Sequence, residues 1–159
     1  MVRVIKFFAM NAFFILISFA VFAVFADKTN KVSLVAGDWE TIDGKTKKPS
    51  AVIRVARVGD IYEGKIVKIY TVTTEKSDDV CKECKGEQQD KPILGLTIIS
   101  DMQCLADYCK GGMILDPRDG KLYHASMKLV ENGQKLRVRG YVGIPLFGKT
   151  VIWNRITTI

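Results

Sequence analysis

Residues 121–143 read KLYHASMKLVENGQKLRVRGYVG, and this stretch decides the fold class. In its first ten residues the apolar side chains stand at alternate positions: Tyr123, Ala125, Met127 and Leu129. After Glu-Asn-Gly the alternation resumes at Leu136, Val138, Gly140 and Val142. A period of two is typical of a strand with one buried face, and Glu-Asn-Gly favours a turn. The stretch therefore predicts an antiparallel hairpin.

Short β-rich runs separated by turn residues continue on both sides of this hairpin. They lie at residues 39–42, 51–58, 61–70, 92–99, 112–115 and 149–156. Residues 59–60 and 116–120 have the composition of tight turns, and the glycines inside the strand patterns suit bends in a closing sheet. About eight strands at this spacing predict an all-β protein with a single antiparallel barrel. Such an interior has room for side chains or one small ligand.

Residues 1–26 differ from the rest of the chain. Arg3 and Lys6 precede an almost wholly apolar stretch, and Val24-Phe25-Ala26 ends it with small residues at the −3 and −1 positions. This is the layout of a secretory signal peptide. The stretch is also long enough for an uncleaved membrane anchor. We predict cleavage after Ala26, export to the periplasm or the exterior, no membrane span after cleavage, and one domain at residues 27–159.

Composition excludes several classes of protein. In 159 residues, 48% are hydrophobic and 26% charged, which excludes a disordered chain and a multi-span membrane protein. One histidine excludes sites built on several. The net charge of +7 falls by two when the leader is removed. Because nucleic acid is absent outside the inner membrane, we expect no nucleic-acid partner. We interpret residues 45–48 as a solvated loop, with contact to anionic lipid or surface polysaccharide as the alternative.

The four cysteines form two close pairs, Cys81 with Cys84 and Cys104 with Cys109. Four thiolates at this spacing match a zinc site, and Cys-x-x-Cys also occurs in redox proteins. In an oxidising compartment an even number of cysteines favours disulfides. We predict the two local disulfides, both in long loops, with no metal and no cofactor.

Other chemical groups do not form a recognised catalytic pattern. His124 has no nucleophile elbow G-x-S-x-G to accompany it, and residues 116–120 lack the run of oxygen ligands that calcium needs. Four carboxylates near the first cysteine pair favour a solvated loop: Asp78, Asp79, Glu83 and Glu87. We therefore predict that the protein is not an enzyme.

The two ends of the mature chain suggest how the barrel closes. Gly37-Asp38-Trp39 opens the first strand and Arg155 lies in the last. This combination resembles lipocalins and related calycin barrels, in which the tryptophan plugs one end and the arginine packs over its ring. A guanidinium over an indole contributes about 0.5–2 kcal/mol. We expect Trp39 and Arg155 to be in contact.

A longer series of motifs has a more specific resemblance. It runs from Gly37-x-Trp39 through Tyr62-x-Gly64, Gly111-Gly112-Met113 and Leu146-Phe147-Gly148 to Trp153-x-Arg155. The series is similar to the bacterial family called domain of unknown function 2147. The resemblance implies an exported single β domain and supplies no activity. The Cys104 and Cys109 pair departs from that pattern.

Two functions follow from a barrel of this kind. The first is non-enzymatic binding of a small apolar or amphipathic molecule. The candidate lining residues are Tyr62, Ile66, Tyr123, Met127, Val138 and Val142. The competing interpretation of each is plain core packing, because small barrels are often filled. The alternative function is a structural or interaction domain of the cell envelope, with residues 71–91 and the apolar loop 144–147 as contact surfaces. The sequence does not specify a protein partner.

Overall fold

The computed structural model describes residues 34–70 and 80–157, and these form one closed antiparallel barrel. Each strand pairs with the next along the chain, and the last pairs with the first. The strands are β1 Gly37–Ile42, β2 Pro49–Val58, β3 Ile61–Ile69, β4 Thr97–Leu105, β5 Tyr108–Asp116, β6 Lys121–Val130, β7 Lys135–Tyr141 and β8 Gly148–Ile156. The predicted all-β barrel of eight strands is confirmed. The leader, Asp78 and Asp79 lie outside the described residues.

The hairpins with regular alternation have the predicted form. In the β6–β7 pair Met127 lies opposite Val138, with the 3-10 turn Glu131–Gly133 between the strands. Val58 pairs with Ile61, so residues 59–60 make a two-residue turn. Regular alternation keeps one face of each strand apolar, and this sets the register of the pair.

Two strands, β4 and β5, differ from their predicted bounds by more than two residues. Residues 92–99 were expected to form a strand, but β4 begins only at Thr97, because the Leu96 amide bonds back to the Ile93 carbonyl in a turn. The short run 112–115 is the end of a longer strand, β5. There Gly111, with a φ of +81°, lies in a bulge that lets the pairing with β6 continue to Tyr108.

The barrel has two ends with different loops. One end carries residues 34–36 and the turns 59–60, 106–107 and 131–134; we call it the closed end. The other end carries loops 43–48, 80–96, 117–120 and 142–147; we call it the open end. Asp38, outside the core on β1, is buried and receives a bidentate bond from Arg54 on β2, at 2.7 and 2.8 Å.

Both predicted disulfides are present. Cys81 bonds Cys84 and Cys104 bonds Cys109, which leaves no free thiol among the four. The expectation that both pairs lie in loops was wrong for the second pair. Cys104 on β4 lies directly opposite Cys109 on β5, so this bridge crosses the hairpin. Cys81 and Cys84 are buried in loop 80–96.

Loop 80–96 is packed onto the turn between β5 and β6. The Cys81 Sγ lies 3.5 Å from the Pro117 carbonyl oxygen. A Cβ built on Gly120 would collide with the Glu83 backbone, and Gly120 has a φ of +65°. Glycine is therefore required at position 120, both for the turn and for the approach of the loop.

Candidate functional site

The closed end is plugged by Trp39 and Arg155. Trp39 is fully buried, and its Nε1 donates to the Val35 carbonyl at 2.9 Å. The Arg155 guanidinium carbon lies 4.2 Å from the centre of the indole ring. The two residues are paired directly across β1 and β8, which brings them together as the ends of a closed sheet. The plug is therefore a cation–π contact built on the seam of the barrel.

Arg155 also holds three backbone carbonyls at the closed end. Its guanidinium donates to Leu34 and Gly133 at 2.6 Å each and to Ala36 at 3.2 Å. Burial lowers the pKa of Arg155 from its ordinary value, and the group nevertheless keeps its charge. A Cβ on Gly37 would lie 2.7 Å from Nη1 of Arg155, so the close approach requires glycine there.

Burial of the inward-facing side chains changes along the barrel axis. From the closed end to the middle they are at most 7% exposed: Trp39, Ile53, Val55, Tyr62, Ile66, Met102, Met127, Leu129, Leu136, Val138 and Trp153. A Cβ on Gly64 would lie 3.0 Å from Ile99, and one on Gly112 would strike Met102 at 2.8 Å. This half of the interior is filled by side chains.

Towards the open end several inward-facing residues are only partly covered, although Ile99, opposite Ile114, is fully buried. We call six of them the open-end lining: Ala51, Ile69, Ile114, Tyr123, Gly140 and Val151. A Cβ on Gly140 would lie 3.4 Å from Ile114 and 3.6 Å from Tyr123, so these residues share one small space. Val151 faces the same side as buried Val138 yet is 38% exposed. The lining is apolar and reachable from solvent.

The exposure of Val151 has its cause in the seam between β1 and β8. Within the described chain these strands pair only through Asp38, Trp39 and Glu40, opposite Ile156, Arg155 and Asn154. The part of β8 nearer the open end pairs with β7 alone. The barrel is therefore closed at one end of the seam and parted at the other.

Polar groups surround the open-end lining. The Tyr123 hydroxyl donates to Oδ2 of Asp119 at 2.9 Å, and this hydrogen bond raises the pKa of Tyr123. Lys149 lies opposite Gly140 and so shares its inward-facing side, exposed at the rim. The Asp116 carboxylate accepts two bonds from Arg118, at 2.6 and 2.9 Å, which lower the pKa of Asp116. The Tyr123 hydroxyl, the Lys149 ammonium and the ion pair of Asp116 with Arg118 thus border an apolar space.

The six predicted lining residues fall into three places. The side chains packed in the filled half are Tyr62, Ile66, Met127 and Val138. Tyr123 lies in the open-end lining. Val142 does not face the interior: β7 ends at Tyr141, the chain bends, and Val142 is 66% exposed.

Residues 142–147 form an exposed apolar loop between β7 and β8. Its apolar side chains are 55–75% exposed: Val142, Ile144, Leu146 and Phe147. The sequence predicts residues 144–147 of this loop as a contact surface. It lies at the open end, beside the lining.

Other chemical groups do not assemble into a site. His124 is exposed on the outer face, where its ring stacks on Tyr141 at 5.7 Å. Within residues 34–70 and 80–157, no three His, Cys, Asp or Glu side chains are grouped closely enough to hold a metal. In the same residues, no helix is long and apolar enough to cross a membrane.

Two surface depressions lie away from the open-end lining. One, of about 810 Å³, is at the closed end and is bordered by Leu34, Glu131 and Arg155. The Arg155 guanidinium is already bonded to three carbonyls there. The other, of about 210 Å³, lies on loop 80–96 beside Pro92.

Comparison with known proteins identifies the family. The sequence profile of the family described as "Uncharacterized protein conserved in bacteria (DUF2147)" matches residues 37–155. The chain belongs to this family. The match runs from the first residue of β1 to Arg155 and so spans the barrel of this DUF2147 protein. None of the curated protein sequences compared with the chain matches it.

One solved structure resembles this DUF2147 barrel. It is described as protein HP1028 from the human pathogen Helicobacter pylori, belonging to the lipocalin family. The TM-score is 0.65 at 19% identity, and the alignment covers 77% of this chain and 83% of that one. At this identity the likeness shows the fold alone, and the predicted lipocalin-like architecture is confirmed.

Sequence reasoning missed most of the open-end lining. Ala51, Ile69 and Ile114 lie in predicted strands, but depth along the axis depends on the register of all eight strands together. Val151 lies in a predicted strand, but nothing in the sequence indicates that β1 and β8 stop pairing beside it. Gly140 was identified as a bend residue, and the structure places it in the lining.

Proposed function

We propose that this protein binds a small apolar or amphipathic molecule at the open end of the barrel, without catalysing a reaction on it. The observation that carries the proposal is the gradient of burial along the axis. Inward-facing apolar side chains are covered in one half of the barrel, whereas several of those in the other half are partly exposed. Leaving apolar side chains exposed inside a barrel forgoes stabilisation that core packing would provide. A ligand that covers them recovers that stabilisation.

The filled half limits the size of the ligand. Trp39, Ile66 and Met127 occupy the interior below the open-end lining, so an apolar group enters only the upper part of the barrel. Lys149 at the rim favours an acidic head group, because its ammonium has no carboxylate partner within salt-bridge distance among the described residues. The favoured class is an amphipathic anion with a short or branched apolar part.

The proposed compartment is outside the inner membrane. Two disulfides in a chain of this size support an oxidising environment, because cytosolic thiols are kept reduced. Apolar molecules that cross an aqueous compartment need a carrier or a binding site that shields them from water. A non-catalytic binding role fits this location.

To test the proposal, a substitution fills the open end with a larger side chain, and binding of a dansyl-labelled fatty acid is measured. Gly140→Leu adds an apolar side chain between Ile114 and Tyr123, where the Cβ itself is tolerated. We expect the affinity to fall by at least about tenfold, because the leucine takes the space of the ligand. Lys128→Leu, on the exposed outer face of β6, is the matched control and should bind as the wild type does.

The variant Lys149→Gln tests the contribution of the acidic head group separately from that of the apolar part of the ligand. It should weaken binding of the labelled acid and leave binding of the corresponding labelled alcohol unchanged. If the wild type does not bind the probe, or Gly140→Leu binds it equally well, the proposal is wrong. The alternative, an envelope interaction domain, then becomes the better account, with loop 142–147 as its contact surface.

A further inference from the structure

Loop 142–147 exposes a set of large apolar side chains on a backbone of defined conformation. The Val142 amide donates to the Phe147 carbonyl at 3.2 Å, and the Phe147 amide donates to the Ile144 carbonyl at 3.1 Å. These bonds close the loop on itself. The side chains of Leu146 and Phe147 are 75% and 70% exposed in this conformation.

Arg139 on β7 fixes two further carbonyls of the loop. Its guanidinium donates to the carbonyls of Pro145 at 2.7 Å and Leu146 at 3.2 Å, and to the Thr150 hydroxyl at 2.7 Å. Backbone groups that are already bonded cost less to move out of water. The carbonyls of residues 144–147 are therefore already bonded before the tip of the loop enters an apolar phase.

Positive charge surrounds this loop at the open end. Loops 43–48 and 117–120, with the strand residues beside them, and the start of β8 carry six cations against three carboxylates: Lys45, Lys47, Lys48, Arg118, Lys121 and Lys149 against Asp43, Asp116 and Asp119. The described loop 80–96 is balanced, with three lysines and three carboxylates. All three carboxylates in the first group already accept hydrogen bonds within their own turns.

We propose that the open end docks on an anionic phospholipid bilayer, with Leu146 and Phe147 inserted among the acyl chains and the surrounding lysines on the head groups. An exposed apolar tip within a ring of cations is complementary to such a surface, which offers an apolar interior beneath a negatively charged layer. A second copy of this chain would bring the same cations against each other. The charge therefore favours the bilayer as the occupant of this surface.

This docking does not depend on the proposed ligand binding. It rests on Leu146 and Phe147, which lie in loop 142–147 outside the barrel, whereas the ligand site rests on residues that face inwards. Lys149 is the one residue that both proposals use. It would place the open-end lining against the membrane, where amphipathic molecules are concentrated.

The first experiment measures vesicle flotation of the protein purified from the envelope fraction, so that all variants carry the same N-terminus. Leu146→Ser with Phe147→Ser should weaken binding to phosphatidylglycerol-containing vesicles by at least about tenfold. Leu105→Ser removes an equally exposed leucine, 84% exposed, at the closed end, and should bind as the wild type does. Phosphatidylcholine vesicles and high salt should each reduce wild-type binding.

The second experiment measures which end of the barrel enters the bilayer. Phe147→Trp and Leu105→Trp each add an exposed indole, while the native Trp39 and Trp153 are buried. Brominated lipids should quench the indole at position 147 and leave that at position 105 unquenched. Circular dichroism and thermal unfolding verify that each variant is folded.

Several results would overturn the docking proposal. These are a wild type that does not bind, equal binding by the Leu146 and Phe147 double variant, equal quenching at both ends, or a dimer in sedimentation that the double variant abolishes. The last result would assign the loop to a second copy. Fatty-acid binding measured without vesicles is unaffected by any of them, so the two proposals fail separately.

Discussion

At the residue scale, Arg155 carries more of the closure than a single ring contact. One guanidinium stacks on Trp39 and also binds carbonyls from the segment before β1 and from the β6–β7 turn. Its rigid fork of donors reaches these acceptors at once, which a lysine ammonium cannot do. The sequence predicts the contact of Arg155 with the Trp39 ring, because closure of the sheet brings the first and last strands side by side. It did not point to the carbonyls, because they belong to segments without a side-chain pattern.

We expect Arg155→Lys to destabilise the protein almost as much as Arg155→Ala, by about 1–3 kcal/mol, because either change leaves carbonyls unbonded.

Trp39→Ala should cost about 3–5 kcal/mol through lost burial. Because the two side chains touch, the double variant should be less destabilised than the sum of the single ones. Denaturant unfolding of the wild type, Trp39→Ala, Arg155→Ala, Arg155→Lys and the double variant of Trp39→Ala with Arg155→Ala gives the free energies of unfolding. Strict additivity of the two alanine effects would mean that the contact is absent in solution.

At the element scale, regular hairpins were predictable and bulged ones were not. The β6–β7 pair keeps a period of two throughout, so its faces can be identified from the sequence alone. On β4 and β5, Asp101 at a φ of +58° and Gly111 at +81° interrupt that period. A bulge shifts which residues face inwards, so apolar spacing no longer marks a strand. For this reason Cys104 and Cys109 were assigned to a loop although they lie opposite each other in a hairpin.

The bridge between β4 and β5 is expected to stabilise the whole barrel. It closes a loop of only a few residues, so Cys104→Ala with Cys109→Ala should lower the free energy of unfolding by about 2 kcal/mol. Because Cys109 is fully buried beside Met127, the change should also loosen that part of the core. Unfolding in denaturant under non-reducing conditions measures the effect. Unchanged stability would show that the bridge is dispensable.

The β5–β6 turn should make stability depend on acid pH. Arg118 lowers the pKa of Asp116 from its ordinary value of 3.8. A carboxyl group with a lower pKa in the folded state stabilises the fold above its unfolded pKa, and this stabilisation is lost as the pH falls through the folded pKa. The stability difference between wild type and Arg118→Gln should therefore be largest above about pH 5 and shrink towards pH 2. A difference that stayed constant across this range would exclude the ion pair as its cause.

At the scale of the whole molecule, the fold was predictable and the candidate site largely was not. Strand number, all-β class and family likeness follow from local patterns and motif order. The site arises where the β1–β8 seam parts, and that seam joins residues from opposite ends of the domain. Only Tyr123 among the predicted lining residues lies there, because its position near the start of β6 coincides with the open end.

The parted seam also predicts a gradient of local stability along the barrel. Amides of β8 near Trp153 and Arg155 lie between two partner strands or beside the plug, whereas those of residues 148–152 have β7 on one side only. Amides without a strand partner open with low free energy. In hydrogen–deuterium exchange, alternate amides of residues 148–152 should therefore exchange faster than those of the β6–β7 pair near the closed end. A bound amphipathic anion should slow exchange at the open end in the wild type and not in Gly140→Leu. Uniform protection along β8 would show that the seam is closed throughout, and the exposure of Val151 would then not describe the protein in solution.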